Sequence, residues 1–175
     1  MAGSDQRKQC EPVGLEFFDE APSVVRVTET VRATPDLIFD VFQDASAWAA
    51  FAFPITGVEW TSPFPLSVGS TRTVFMRGGM TGWEEFIAWE PGTRMAFRFN
   101  ETIEGGPDAF AEDWQVRDQG DGTCEVTWTM AMSLSGVSAK LMPVSTKLMG
   151  PGNAAMLKSF RRYVESNPRI TVGHP

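Results

Sequence analysis

One histidine, His174, stands among 175 residues, next to the C-terminus. A Ser-His or Cys-His nucleophile pair would have to recruit that tail position. With only two cysteines, Cys10 and Cys124, neither a disulfide framework nor a zinc site of several His or Cys ligands can be assembled. No P-loop or GxGxxG spacing occurs, since Gly78-Gly79-Met80-Thr81-Gly82 fits neither, and there is no GxSxG elbow. No metal and no cofactor are therefore expected. Basic runs are also missing. None exceeds two residues, as at Arg161-Arg162, and 15 Lys and Arg against 22 Asp and Glu leave a net charge of −7. Phosphate backbones attract clustered Lys and Arg, so no nucleic-acid partner is expected. No stretch approaches the roughly 20 apolar residues that span a bilayer. The start, MAGSDQRKQCEPVG, has no apolar core of signal-peptide type. A cytoplasmic protein, monomer or homodimer, is the expectation.

What the chain does have is bulk: 13 Phe, 6 Trp and 9 Met, against a single Tyr. Such deformable side chains either close-pack a large core or line an irregular space that repacks around a guest. The length suits one domain. Residues 1–22, rich in Gly, Pro and charge, read as an N-terminal extension, loosely ordered or packed late, with Phe17-Phe18 the one part that would dock. The domain itself is expected over 23–167, with a C-terminal tail over 168–175.

Val25, Val27 and Val31 alternate as in a half-buried strand. Thr34-Pro35 then starts a helix, with Thr34 as cap and Pro35 at the first helical position. Its stripe is Leu37, Ile38, Val41 and Phe42. A second short helix from Asp44 carries Trp48 and Phe51 and ends before Pro54. Six strand candidates fill 55–134. They are separated by a longer loop at Ser62-Pro63-Phe64-Pro65 and by tight joints at Arg77–Met80, Glu90–Thr93, Glu104–Pro107 and Gln119–Gly122. Short joints make neighbouring strands antiparallel. After Gly136 the spacing turns helical (Val137, Leu141, Val144, Leu148), Gly150-Pro151-Gly152 interrupts, and Met156/Leu157, Phe160 and Val164 continue it to Pro168. The predicted class is α+β: a curved antiparallel sheet of seven strands, the N-terminal one included, around a long C-terminal helix, with two short helices after the first strand.

Alternation assigns the sheet faces. Met95, Phe97 and Phe99 share one, as do Val126, Trp128, Met130 and Met132. Phe110, Trp114 and Val116 share another with Glu112. In GWEEFIAW, either Trp83, Ile87 and Trp89 point inward with Glu85, or Phe86 and Ala88 do. A sheet apolar on one side needs a cover, and a bent sheet meets one helix along its middle but not at its flanks, which leaves a cavity. From the sheet its expected lining is Met76, Ile87, Met95, Phe97, Phe99 and Phe110, with Trp114, Trp128 and Met130. From the helix it is Met149, Met156 and Phe160. Glu85 and Glu112 are the catalytic candidates. Facing inward, they would pair with Arg72 or a water and serve as acid/base groups or ligand anchors. At a strand edge they would simply face water. Glu84 and Glu85, as strand neighbours, point to opposite faces and cannot chelate together. Tyr163 is a further proton donor, with its ring on the sheet and its hydroxyl at the rim.

The segments VRATPDLIFDVFQDASAW (31–48), VGSTRTVFMRGG (68–79), EEFIAWEPGTRMAFRF (84–99) and DGTCEVTWTMAM (121–132), in this order before a terminal helix, resemble the START/Bet v 1-like superfamily in its polyketide cyclase/dehydrase-type branch. The resemblance covers about residues 23–167. It implies a helix-grip fold with a cavity between sheet and helix. It also implies a role in binding lipids, hormones or polyketides, or in cyclisation or dehydration. Members share no fixed catalytic residues, so none transfers. Three functions follow as expectations. The first is a binder of a small hydrophobic molecule, acting as carrier, sensor or store, which the lone tail histidine favours. The second is an enzyme of cyclase, aromatase or dehydratase type using Glu85 or Glu112 as base. The third is an interaction module with a filled cavity.

Overall fold

A computed structural model describes residues 7–103 and 105–166, with the side chains of all of these but 136–148. Its elements follow in order: β1 (Arg7–Gln9), α1 (Phe17–Glu20), β2 (Ser23–Val31), α2 (Pro35–Gln43), α3 (Ala45–Phe51), β3 (Ile55–Trp60), β4 (Thr71–Met76), β5 (Thr81–Glu90), β6 (Arg94–Ile103), β7 (Ala109–Asp118), β8 (Cys124–Ser133) and α4 (Gly136–Ser166). The local causes are those the chain spells out. Thr34 Oγ1 accepts a hydrogen bond from the Leu37 amide at 3.3 Å, and Pro35 opens α2. Asp44 ends α2 and caps α3 through Ser46 N at 2.9 Å. Gly92 and Gly120 carry φ of +85° and +77° in their turns, which a side chain would oppose.

The sheet is antiparallel in the order β2-β8-β7-β6-β5-β4-β3. These are the seven expected strands, and β1 adds an eighth. Within the N-terminal segment expected to be loosely ordered or packed late, residues 7–9 are paired and Phe17–Glu20 form a helix. The pairing of β7 with β6 stops at Arg98↔Ala111, and β1 takes up the backbone left over, from Arg7↔Ile103 to Gln9↔Glu101. Lys8 Nζ holds Asp108 at 2.6 Å across the same joint. A three-residue strand is too short to show a period, so nothing in the sequence marked it. Phe18 docks as expected, buried on the convex face among Ala88, Ala96, Ala111 and Ala131. Those four small side chains make the shallow seat that a phenyl ring fills.

α4 runs unbroken through Gly150-Pro151-Gly152, where an interruption was expected. The proline forfeits one helical hydrogen bond, and the burial of Leu157, Phe160 and Val164 just beyond it holds the helix to its course. The stripe Val137, Leu141, Val144 and Leu148, the tail 168–175 and His174 lie outside the described residues or side chains. On the concave face Phe42, Trp48, Trp114, Trp128 and Phe160 form the aromatic centre, with Trp114 and Trp128 stacked at 5.1 Å between ring centroids. Both cysteines are buried as free thiols. Among the described residues no helix is long and apolar enough to cross a membrane.

Candidate functional site

Between the concave face and the C-terminal half of α4 lies a cavity of about 650 Å³. The sheet contributes Phe97 and Phe99 from β6, Phe110 and Glu112 from β7, Trp128 and Met130 from β8, and Arg72, Val74 and Met76 from β4. Trp48 and Phe51 close it from α3, and Met149, Asn153 and Met156 from α4. Its wall is mostly aromatic and thioether, with charge confined to one cluster.

Arg72 is the centre of that cluster. Its side chain is fully buried, and its guanidinium lies 4.2 Å from the Trp48 ring and 4.7 Å from that of Phe97, with Phe86 and Trp60 slightly farther. Ring faces attract a cation, but a buried guanidinium keeps its charge and needs an anion. Glu84, opposite it on β5, supplies one: Arg72 Nε donates to Glu84 Oε2 at 2.5 Å. Burial pushes the Glu84 carboxyl up, against the pull of Arg72.

Glu112 is the second carboxyl on the cavity wall. Trp114 Nε1 donates to its Oε2 at 3.1 Å. The Trp128 indole N–H also favours its charge, weakly and without closing a hydrogen bond. Burial, and then the negative charge of Glu84, push Glu112 up to about 8. One anion must stay beside Arg72, and Glu84 touches it. The proton at neutral pH therefore rests on Glu112, which makes Glu112 a hydrogen-bond donor as well as an acceptor.

A family model described as polyketide cyclase / dehydrase and lipid transport matches residues 23–165. The chain belongs to this family. It is 46% identical over 157 residues to an uncharacterized protein of Mycobacterium tuberculosis, covering 90% of this chain and 93% of that one. The same identity and coverage hold for an uncharacterized protein of Mycobacterium bovis. Among solved structures it resembles a START superfamily protein of Mycobacterium smegmatis (TM-score 0.69, 12% identity, 82% of this chain and 98% of that one). It also resembles the Zhui aromatase/cyclase of Streptomyces sp. R1128 (TM-score 0.66, 17% identity, 86% and 98%). At these identities the likeness is one of fold, and it confirms the helix-grip architecture expected from the sequence.

In this family member, Met76, Phe97, Phe99, Phe110, Trp128, Met130, Met149 and Met156 stand in the cavity wall, as does Glu112. Four expected lining residues do not. Met95, Trp114 and Phe160 are packed into the solid core behind the wall. Ile87 is on the convex face, in the cluster that seats Phe18. Glu85 also leaves the site: its Oε2 accepts from Asn100 Nδ2 at 2.8 Å and Arg98 Nη2 at 3.1 Å, half-exposed on the convex side. The reason is a register shift in β5 between Phe86 and Ala88. Before it Glu84 and Phe86 face inward; after it Trp89 does, packed on Phe86 and Phe39. Neither of the two periods left open for GWEEFIAW fits the whole strand: Phe86 faces inward as in one and Trp89 as in the other, while Ile87 and Ala88 lie on the convex face. Glu84 was missed for that reason. Arg72 was named only as a possible partner, although Arg72, Val74 and Met76 alternate in TRTVFM and share a face. Tyr163 packs on Phe51 at 6.2 Å between ring centroids, outside the cavity wall.

Proposed function

We propose that this protein holds one small, largely apolar molecule, lipid- or polyketide-like, between its sheet and α4. The observation that carries the proposal is the cavity itself: about 650 Å³, walled by Phe, Trp and Met, with its few polar groups gathered at Arg72, Glu84 and Glu112. That is the size and chemistry of a pocket for a small organic ligand. In this reading the protein works in the cytoplasm, as monomer or homodimer, without a metal or cofactor. Native mass spectrometry of the purified protein should show a bound apolar mass that organic extraction removes. Met130→Trp, which fills the cavity from β8, should abolish it. Repeated absence of any bound mass, together with failure to take up added lipids or aromatic ketones, would count against binding.

A second reading is a reaction of cyclase, aromatase or dehydratase type, and Glu112 is the observation that favours it. A carboxyl held protonated near neutral pH beside an apolar pocket is placed to act as a general acid. That role differs from the base expected from the sequence. Glu112→Gln should then remove turnover of a polyketide substrate while leaving its affinity within about twofold. Unchanged turnover would leave Glu112 as a ligand anchor only.

A further inference from the structure

We propose that the cavity selects amphiphiles carrying an oxygen acceptor, a carboxylate or a carbonyl, at the end that meets Arg72, Asn153 and Trp128. This rests on the binding reading above and specifies the ligand it would take.

Among the described residues the buried side-chain nitrogens without a hydrogen-bond partner are Arg72 Nη1 and Nη2, Asn153 Nδ2 and Trp128 Nε1. All three residues border the same cavity. Buried donors in folded proteins are almost always paired, because leaving one unpaired forfeits its bond to water. A cluster of them from three separate elements, β4, β8 and α4, is a site that lacks acceptors. Each of the two carboxyls on this wall already has one oxygen engaged. Glu84 Oε2 takes Arg72 Nε, and Glu112 Oε2 takes Trp114 Nε1. The rings around the guanidinium attract its charge, yet they offer no lone pair to its outer amino groups.

Charge narrows the class further. Arg72 and Glu84 cancel, and Glu112 at neutral pH is a neutral donor, so no surplus negative charge repels an acid. An oxygen with free lone pairs supplies the acceptor these donors lack, and the rest of the molecule lies against Phe97, Phe99 and Met130, which line the same cavity. A hydrocarbon leaves every donor unmet. An amine adds donors to donors and a second cation beside Arg72.

The test is a matched series of decanoic acid, the methyl ketone of the same length, the alkane and the amine, each displacing Nile red from the full-length protein at pH 7. The acid or the ketone should bind at least tenfold more tightly than the alkane, and the amine more weakly still. Which of the two oxygens leads identifies the headgroup as carboxylate or carbonyl. Trp128→Phe and Asn153→Leu keep the shape of the wall and remove one donor each. Either should cut the preference for the oxygen-bearing ligand about three- to tenfold without changing alkane affinity. Arg72→Met combined with Glu84→Gln removes both charges together and should abolish the preference. If that pair does not fold, the two single variants decide the matter. Equal affinity for acid, ketone and alkane in the wild-type protein would overturn the selectivity and leave the binding reading standing. Binding of none of the four would overturn both.

Discussion

Replacing Glu112 with glutamine should change the stability of this protein by an amount that depends strongly on pH. In the folded chain the Glu112 carboxyl is raised from 4.5 to about 8, first by burial and then by the charge of Glu84. Across that interval the folded protein holds a proton that the unfolded chain has released. The contribution of this group to stability is therefore full below about pH 4.5, falls as pH rises toward 8, and is flat above it. Each pH unit in the window is worth about 1.4 kcal/mol, so between pH 5 and 8 the wild-type protein loses about 4 kcal/mol through Glu112 alone. Glutamine carries no proton to lose, and its amide oxygen can still accept from Trp114 Nε1. Glu112→Gln should lie within about 1 kcal/mol of wild type at pH 5, since one neutral hydrogen-bonded group replaces another. At pH 8 to 8.5 it should be more stable by about 3–4 kcal/mol. Urea unfolding of the ligand-free protein, followed by tryptophan fluorescence at pH 5, 7 and 8.5, measures this directly. Titrating groups that do not couple to Glu112 cancel in the difference between the two proteins. A difference that stays constant across those three pH values would show that Glu112 titrates as an ordinary carboxylate, and the argument for a protonated wall residue would fail.

Three further outcomes follow from the packing. Gly82→Ala places a methyl 2.5 Å from the Phe99 ring edge, so it should displace that part of the cavity wall and cost about 1–3 kcal/mol, read as a lowered Tm with weakened ligand binding. Phe18→Ala removes a ring buried on the convex face and should cost about 3 kcal/mol in urea unfolding, with ligand affinity unchanged because the cavity is on the other side of the sheet. Ile87→Ala should shift ligand affinity by less than twofold, and Phe97→Ala by more than tenfold; calorimetric titration with one bound ligand would refute the face assignment of β5 if the order were reversed.

Much of the site could be read in the chain because β6, β7 and β8 keep one period along their inner faces. Phe97, Phe99, Phe110, Trp128 and Met130 were placed by alternation alone, and all five stand in the wall; alternation put Glu112 on the same face but left open whether it met water at a strand edge. Depth within that face was not legible. Met95 and Trp114 share the face but are packed into the core behind the wall; the short helices cover Trp114, which lies 5.5 Å from Phe42 and 5.9 Å from Trp48 between ring centroids. Alternation reports the side of a sheet, and it is silent on what lies above each point. α3 was identified as a helix with Trp48 and Phe51, but its position as one wall of the cavity depends on how it packs across β3 and β6.

The sequence by itself determined the antiparallel meander, the two capped helices and the apolar inner face, because turns, caps and periodicity act over a few residues. It also left little for a histidine- or cysteine-based nucleophile to be built from, with one His and two Cys in the chain. Tertiary structure alone decided the polar centre of the site. Arg72, Glu84 and Glu112 come from three strands and meet only once the register of each is set, and the irregularity in β5 decides that Glu84, and not Glu85, faces inward. The proton on Glu112 is likewise a property of the assembled cluster. It arises from burial and from the charge of Glu84, neither of which exists in the unfolded chain.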